Sequence, residues 1–234
     1  ELGLTVLPNQ DQLPCDDGEP METQRHKLQM DLLIEGLDTW LEQREDGYVG
    51  GNIFIYFSQA QSPKAQLKNQ DFKGPDFFAV TGVSKKERKS WVVWEEEKAP
   101  DVVIELLSAS TANFDKTEKK QIYQNKMRVS EYFWYDPFNS EDFAGFYLNN
   151  GVYQPLVFNE QGWLISQSLE LALVRWSGNY RGLEAVWLRW ATLEGQILLT
   201  GRELAEQERQ LAERERLRAD RLAAKLREMG IDPD

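Results

Sequence analysis

The chain has 234 residues, and its 27 Lys and Arg stand against 39 Asp and Glu, a net charge of −12. That length suits one body with a substantial core plus an appendage, and 8 Trp, 8 Tyr and 11 Phe exclude a disordered chain. The acidic balance argues against a protein that coats nucleic acid non-specifically.

Residues 1–20 are rich in Pro, Asp and Gly and read as an irregular lead-in. Leu28, Leu32, Leu33, Leu37, Trp40 and Leu41 recur at helical spacing and predict a first helix over 23–44. Asp46-Gly47 and Gly50-Gly51 break the chain, and the apolar run Ile53–Phe57 predicts a strand covered on both faces. A polar loop runs from Ser58 to Gly74. Strands are then expected at Phe77–Val80 and Trp91–Trp94, on either side of the basic loop Lys85-Lys86-Glu87-Arg88-Lys89. This loop, and the cluster of Lys116, Lys119, Lys120, Lys126 and Arg128, read as solvated surfaces.

Pro100-Asp101 opens a strand over Val102–Leu107. Ser108, Ser110 and Thr111 are placed to hydrogen-bond the turn into a helix over about 116 to 126. Glu131–Tyr135 is another strand, ended by Asp136-Pro137. Asn150-Gly151 is a strong hairpin signal joining Gly145–Leu148 to Val152-Tyr153. The apolar, aromatic region from Trp163 to Thr200 supplies the remaining strands.

From Arg202 to Glu228 the chain lacks Gly and Pro and consists mostly of helix formers, with Gly230 and Pro233 as stop signals. Such a helix would span on the order of 40 Å. Its leucines (204, 211, 217, 222, 226) keep no heptad, so it projects from the body or pairs with a second copy. The tail 202–234 carries 8 basic and 9 acidic residues, which leaves residues 1–201 at −11. Cys15 is the single cysteine, so neither an intramolecular disulfide nor a cysteine zinc cluster is expected, and a cytoplasmic location fits. With no apolar run of 18 residues and no signal pattern at the start, neither a membrane span nor secretion is expected.

The chemistry concentrates between Pro75 and Tyr123. Proline cannot donate to a ladder, so Pro75-Asp76 belongs at a strand's start, where the acid can point into a cleft. Glu105 sits inside an apolar strand, on the face of Val103 and Leu107. A carboxylate buried there needs a cation or hydrogen-bond donors. The following helix offers lysines: Lys119 shares a face with Asp115 and Tyr123, while Lys116 and Lys120 share another, and spacing alone leaves the choice open. Two carboxylates with a backbone carbonyl suit a hard divalent ion such as Mg²⁺ or Mn²⁺. A nearby lysine would orient or deprotonate water, or stabilise charge on a phosphate.

Pro75-Asp76, Glu105 to Thr111, Asp115, Lys119, Tyr123 and Glu131 to Pro137 together resemble the Uma-two family of restriction-endonuclease-like proteins. That family is abundant in cyanobacteria and belongs to the PD-(D/E)XK nuclease superfamily. The likeness spans about residues 13–180 and includes Asp16 to Met21 and His26, and Arg221–Pro233 resembles the C-terminal helix of many members. The superfamily pattern puts a lysine two residues after the second acid, where this chain has Leu107. The resemblance implies that Lys119, on the helix, takes that lysine's place. It implies Asp76 and Glu105 as catalytic and metal-binding acids and the Leu106 carbonyl as a further metal ligand. It also raises His26, and acids such as Glu19 or Glu22 near the metal.

The expected fold is therefore α/β, a restriction-endonuclease-like mixed central sheet flanked by helices over residues 1–201, followed by a charged helix over 202–234. The expected function is Mg²⁺- or Mn²⁺-dependent hydrolysis of DNA by Asp76, Glu105 and Lys119, in a homodimer. The alternative is a non-catalytic module of the same fold acting through its C-terminal helix.

Overall fold

The apolar runs assemble into a six-stranded mixed sheet in a computed structural model, which describes residues 8–13, 23–42, 44, 46–57 and 72–229. Cys15, Asp16 to Met21, Glu22, most of the lead-in, most of the Ser58–Gly74 loop, Gly230 and Pro233 lie outside the described residues. In chain order the elements are α1 (Gln24–Leu41), β1 (Gly47–Gly50), β2 (Ile55–Tyr56), β3 (Phe72–Lys73), β4 (Phe77–Thr81), β5 (Trp91–Val92), α2 (Val93–Glu96) and β6 (Val102–Leu106). A continuous helix, α3, follows, built of Ala112–Phe114, Asp115–Lys119, Lys120–Ile122 and Tyr123–Met127. Then come β7 (Glu131–Asp136), β8 (Asn139–Asn149), β9 (Val152–Pro155), β10 (Leu164–Ser166), β11 (Leu171–Tyr180), β12 (Leu183–Ala191) and α4 (Gly201–Glu228).

The central sheet has the order β1-β4-β6-β7-β8-β9. Only β6 and β7 in it run parallel, with Glu105 opposite Trp134. A parallel pair needs a crossover, and α3 is that crossover. Side-chain alternation splits the sheet into two buried faces. Phe77, Ile104, Leu106 and Phe133 face α1 and the antiparallel sheet β10-β11-β12. Phe78, Val103 and Tyr132 face Tyr123 and Met127 of α3. Thr23 caps α1 by accepting from the His26 N–H. Gln29, fully buried on α1, closes both hydrogen bonds with the Leu188 backbone of β12, at 2.8 and 2.9 Å. The Asn150-Gly151 turn holds β8 to β9 with φ of 49° and 83° at its two centres, a pair of left-handed residues that matches the twist of the strands.

Three expectations from the sequence are corrected. The run Trp91–Trp94 is a strand only through Val92 and turns into α2 at Val93, which brings Glu96 back to Arg88. Arg88 belongs to the core rather than to a solvated basic loop. Its guanidinium forks onto Glu96 at 2.8 Å on both sides and lies 4.7 Å from the Tyr48 and Trp91 rings. Lys85 and Lys89 of the same loop do stay at the surface, paired with Asp38 and Asp11. The run Ile53–Phe57 pairs only at Ile55 and Tyr56, in a small sheet of order β3-β2-β5, because Asn52 at φ 52° has already turned the chain.

The chain divides into two compact units, residues 1–198 and 199–234. The second is α4. Its cap at Thr200 is a reciprocal box: the Thr200 hydroxyl accepts from the Glu203 N–H, and the Glu203 carboxylate accepts from the Thr200 N–H at 2.8 Å. No residue of α4 is buried, and Leu211, Leu217 and Leu222 are exposed.

Gly51 ties this framework to the chemistry. A Cβ there would sit 2.5 Å from the Asp76 carbonyl oxygen and 2.6 Å from Ile34 Cδ1, and the next residue, Asn52, donates to the Pro75 carbonyl at 3.0 Å. Substituting Gly51→Ala is expected to push the Pro75-Asp76 backbone outward and to destabilise the fold by about 1–3 kcal/mol. Urea unfolding of the variant measures this, and a midpoint equal to the parent would contradict it.

Candidate active site

Asp76 precedes β4, and Glu105 is the penultimate residue of β6. Antiparallel pairing of the two strands ends at Phe77 opposite Ile104, so β6 runs on past β4 by two residues. Asp76 fills the gap, accepting from the Leu106 N–H at 2.7 Å. The N–H and C=O of a strand residue point to the same edge, so the Leu106 carbonyl faces the same gap. Leu107 is turned to the other edge, where its N–H bonds the Tyr135 carbonyl.

Glu105 projects onto the α3 face and is 1% exposed, so water does not solvate it. Tyr123 donates to one carboxyl oxygen at 2.7 Å, and the Lys119 ammonium lies 2.7 Å from the other. Asp76 and Glu105 lie within electrostatic reach of each other. Asp115, 2% exposed, approaches Lys119 from the helix itself at 3.3 Å. Its carbonyl accepts from the buried Tyr132 hydroxyl at 2.8 Å. The helix therefore turns Lys119 inward, while Lys116 pairs with Asp142 and Lys120 lies over the Phe146 ring at 3.3 Å. Of the three lysines at 116, 119 and 120, Lys119 is the one that brings its ammonium to Glu105. Asp115 is the acid that the list of expected site residues lacked. Its signal was the four-residue step to Lys119 on one helix face.

The helix geometry explains the alignment. Asp115–Lys119 and Tyr123–Met127 are π-helical, and the segments beside them are α-helical. An α-turn takes 3.6 residues and a π-turn is wider, so alternating them brings residues four apart into register over a long run. Asp115, Lys119, Tyr123 and Met127 then line one face.

Burial dominates the electrostatics. It raises Glu105 from 4.5 to about 8, with Lys119 opposing the shift and Asp76 and Asp115 reinforcing it. Burial also raises Asp76, against the pull of Lys119 and the Leu106 N–H. Burial works against the Lys119 ammonium as well, but Glu105, Asp115 and Asp76 together outweigh it and hold the lysine above its ordinary range. One ammonium cannot offset three neighbouring acids. Asp76 and Glu105 are accordingly both held above the ordinary carboxylate range.

His26 is buried and structural in its contacts. Its Nε2 lies 2.9 Å from the Leu107 carbonyl and its Nδ1 lies 2.8 Å from the Thr23 hydroxyl. It thereby fastens the start of α1 to the end of β6, one residue past Leu106. Glu19 and Glu22 lie outside the described residues. Among the described residues, no group of three or more His, Cys, Asp or Glu side chains is arranged to hold a metal ion. No described helix is long and apolar enough to cross a membrane.

The structure is an α/β body that gathers a buried glutamate, a half-buried aspartate and a lysine at the end of a parallel strand pair. The family model of Uma2, described as "Putative restriction endonuclease", matches residues 7–178, and the chain belongs to that family. Among solved structures, the chain is similar to one described as a putative nuclease belonging to DUF820, from Anabaena variabilis ATCC 29413. The two are 13% identical, the match covers 70% of this chain and 90% of that one, and the TM-score is 0.44. No curated protein matches the sequence.

The proton on Glu105 makes stability depend on pH. Folding raises the carboxyl from 4.5 to about 8, so the folded state binds more protons than the unfolded state between those values. The resulting stability is fully present below about 4.5 and lost as pH rises through about 8. In EDTA, unfolding free energy is expected to fall across that window by up to about 1.4 kcal/mol per pH unit. Glu105→Gln should flatten the slope. Urea titrations between pH 5 and pH 8.5 measure both, and a parent slope that rises or stays level rejects the proton assignment.

Proposed function

We propose that this protein is a metal-dependent nuclease that hydrolyses phosphodiester bonds of DNA, with Mg²⁺ or Mn²⁺ held by Asp76, Glu105 and the Leu106 carbonyl. The observation that carries the reading is the placement of two carboxyls, the buried Glu105 and the half-buried Asp76, at the end of β6 beside the Lys119 ammonium. A divalent cation beside them would favour the ionised form of both acids. The donor set is all oxygen, two carboxylates and a carbonyl near the end of β6, which suits a hard cation. Membership of a family described as restriction endonucleases supports phosphodiesters as substrate and DNA as their source. When bound, the ion supplies Lewis-acid polarisation of the phosphate and a more acidic water.

The chain's own residues divide the remaining work. Lys119 stays protonated, so it acts as a cation facing the charge that builds on the phosphate rather than as a base. Tyr123 holds the Glu105 carboxyl in place through one oxygen and leaves the other to Lys119. Asp76 has one oxygen fixed by the Leu106 N–H, which holds the acid at the strand end.

Incubation of the full chain with plasmid DNA tests this. EDTA should abolish cleavage and Mn²⁺ should restore it. Glu105→Ala should lose at least about 10²-fold while keeping its circular dichroism, and Lys119→Gln should lower kcat by about 10²–10³-fold. Cleavage by Glu105→Ala at the parent's rate would sink the assignment. Absence of calorimetric Mn²⁺ binding at millimolar metal would favour a non-catalytic module instead.

The exposed leucines of α4 support self-association of two copies through that helix. Removal of residues 202–234 should then halve the mass in solution measured by light scattering. An unchanged mass rejects the dimer through α4.

A further inference from the structure

Beside the acid cluster, β3 and the flank of α3 enclose a groove of about 420 Å³, lined by Lys73, Phe114, Glu118, Gln121, Asn125 and Lys126. Its chain positions interleave with those of the active site. Lys73 lies three residues before Asp76. Phe114 and Glu118 each immediately precede a cluster residue, Asp115 and Lys119. The same turns of α3 therefore present the acid cluster on one face and the groove wall on the next.

The charge pattern is local and unusual for this body. Residues 1–201 carry a net charge of −11, which repels a polyanion in general. In the groove two lysines face one acid, Glu118. Lys126 forms no ion pair among the described residues. Lys73 is partly buried, and burial, then the charges of Lys119 and Lys126, lower its proton affinity while Glu105 raises it. The two groove lysines and the cluster thus lie within electrostatic reach of one another. Besides Ile122, the remaining lining offers two amides for hydrogen bonds and an aromatic ring, Phe114, 38% exposed, for a base face.

We infer that this groove seats the DNA strand next to the scissile phosphate, with Lys73 and Lys126 as positioning residues that contact flanking phosphates. The inference rests on the nuclease reading of the adjoining cluster. Phosphate contacts fix the register of a strand without reading its sequence, and they leave a signature in salt dependence that a structural role does not.

The test uses the full chain and a fluorescein-labelled 20-nucleotide DNA, single-stranded and as a duplex, followed by anisotropy in EDTA from 25 to 200 mM salt. The double variant Lys73→Gln with Lys126→Gln should bind more weakly. Its slope of log K against log salt should be shallower by about 1.4 for the single strand or about 1.8 for the duplex, two phosphates' worth. The variant Lys27→Gln with Lys85→Gln removes the same charge elsewhere and should keep the parent slope. In cleavage assays with Mn²⁺ the groove variant should raise KM about tenfold or more while kcat changes little. A parent slope and KM in the groove variant, or no DNA binding by the parent chain, overturns the inference. Slope loss in the groove variant without any cleavage by the parent keeps the groove and discards the nuclease reading. Cleavage by the parent with an unaltered groove variant does the reverse.

Discussion

A carboxyl group buried in the middle of a sheet is the constraint around which this protein is built. Glu105 is enclosed by Val103, Trp134 and the flank of α3, where an uncompensated charge would cost several kcal/mol. Its environment answers in three ways at once. Tyr123 donates to one oxygen, Lys119 supplies an ammonium to the other, and the nearby Asp76 charge favours the protonated form. Each of these groups is fixed by something further out. Asp76 is set by Gly51 and the Leu106 N–H, Lys119 is braced by Asp115, and the carbonyl of Asp115 is bound by Tyr132. The cluster is held by the fold from every side, which is how a site keeps its geometry before any ligand arrives.

The nuclease reading gains from where the lysine comes from. A lysine on β6 two residues after Glu105 would lie on the same strand face, and its reach would depend on the strand alone. Here the ammonium sits on a helix whose turns are widened twice. That widening is unfavourable in an isolated helix and is retained where packing or function demands it. Both π segments contribute a residue to the Glu105 environment, Lys119 from the first and Tyr123 from the second. The helical irregularity and the buried acid are two halves of one arrangement.

Much of this was legible from residue order. The apolar neighbours of Glu105 placed it within a strand, and alternation placed it on the face of Val103, where it lies. Pro75 before Asp76 marked a strand's start, and β4 begins at Phe77. Asn150-Gly151 marked its hairpin because two consecutive left-handed residues admit few alternatives. Other features depended on contacts far apart in the chain. Arg88 looked like one more charge in a basic run, since nothing local says that Tyr48, Trp91 and Glu96 will enclose it. The choice of Lys119 over its neighbours needed the family resemblance, because regular α spacing does not favour the four-residue rows that π turns create. Asp115 was visible on the Lys119 face, but only the packing of α3 against β6, which brings Lys119 to Glu105, makes it part of the same cluster.

Gln29 has a consequence for how the chain is made. Its side chain is buried on α1, and its two partners belong to Leu188, 159 residues later. During synthesis at roughly 5–20 residues per second, α1 waits on the order of 10–30 s for β12 to exist. Until then Leu28 and Leu32, which pack against Tyr180 and Trp187, and the amide of Gln29 have no native surface to cover them. His26, one turn earlier on α1, cannot be drawn against the Leu107 carbonyl independently of that helix. The nascent chain therefore carries β6 and its acid before β12 has closed the framework around α1.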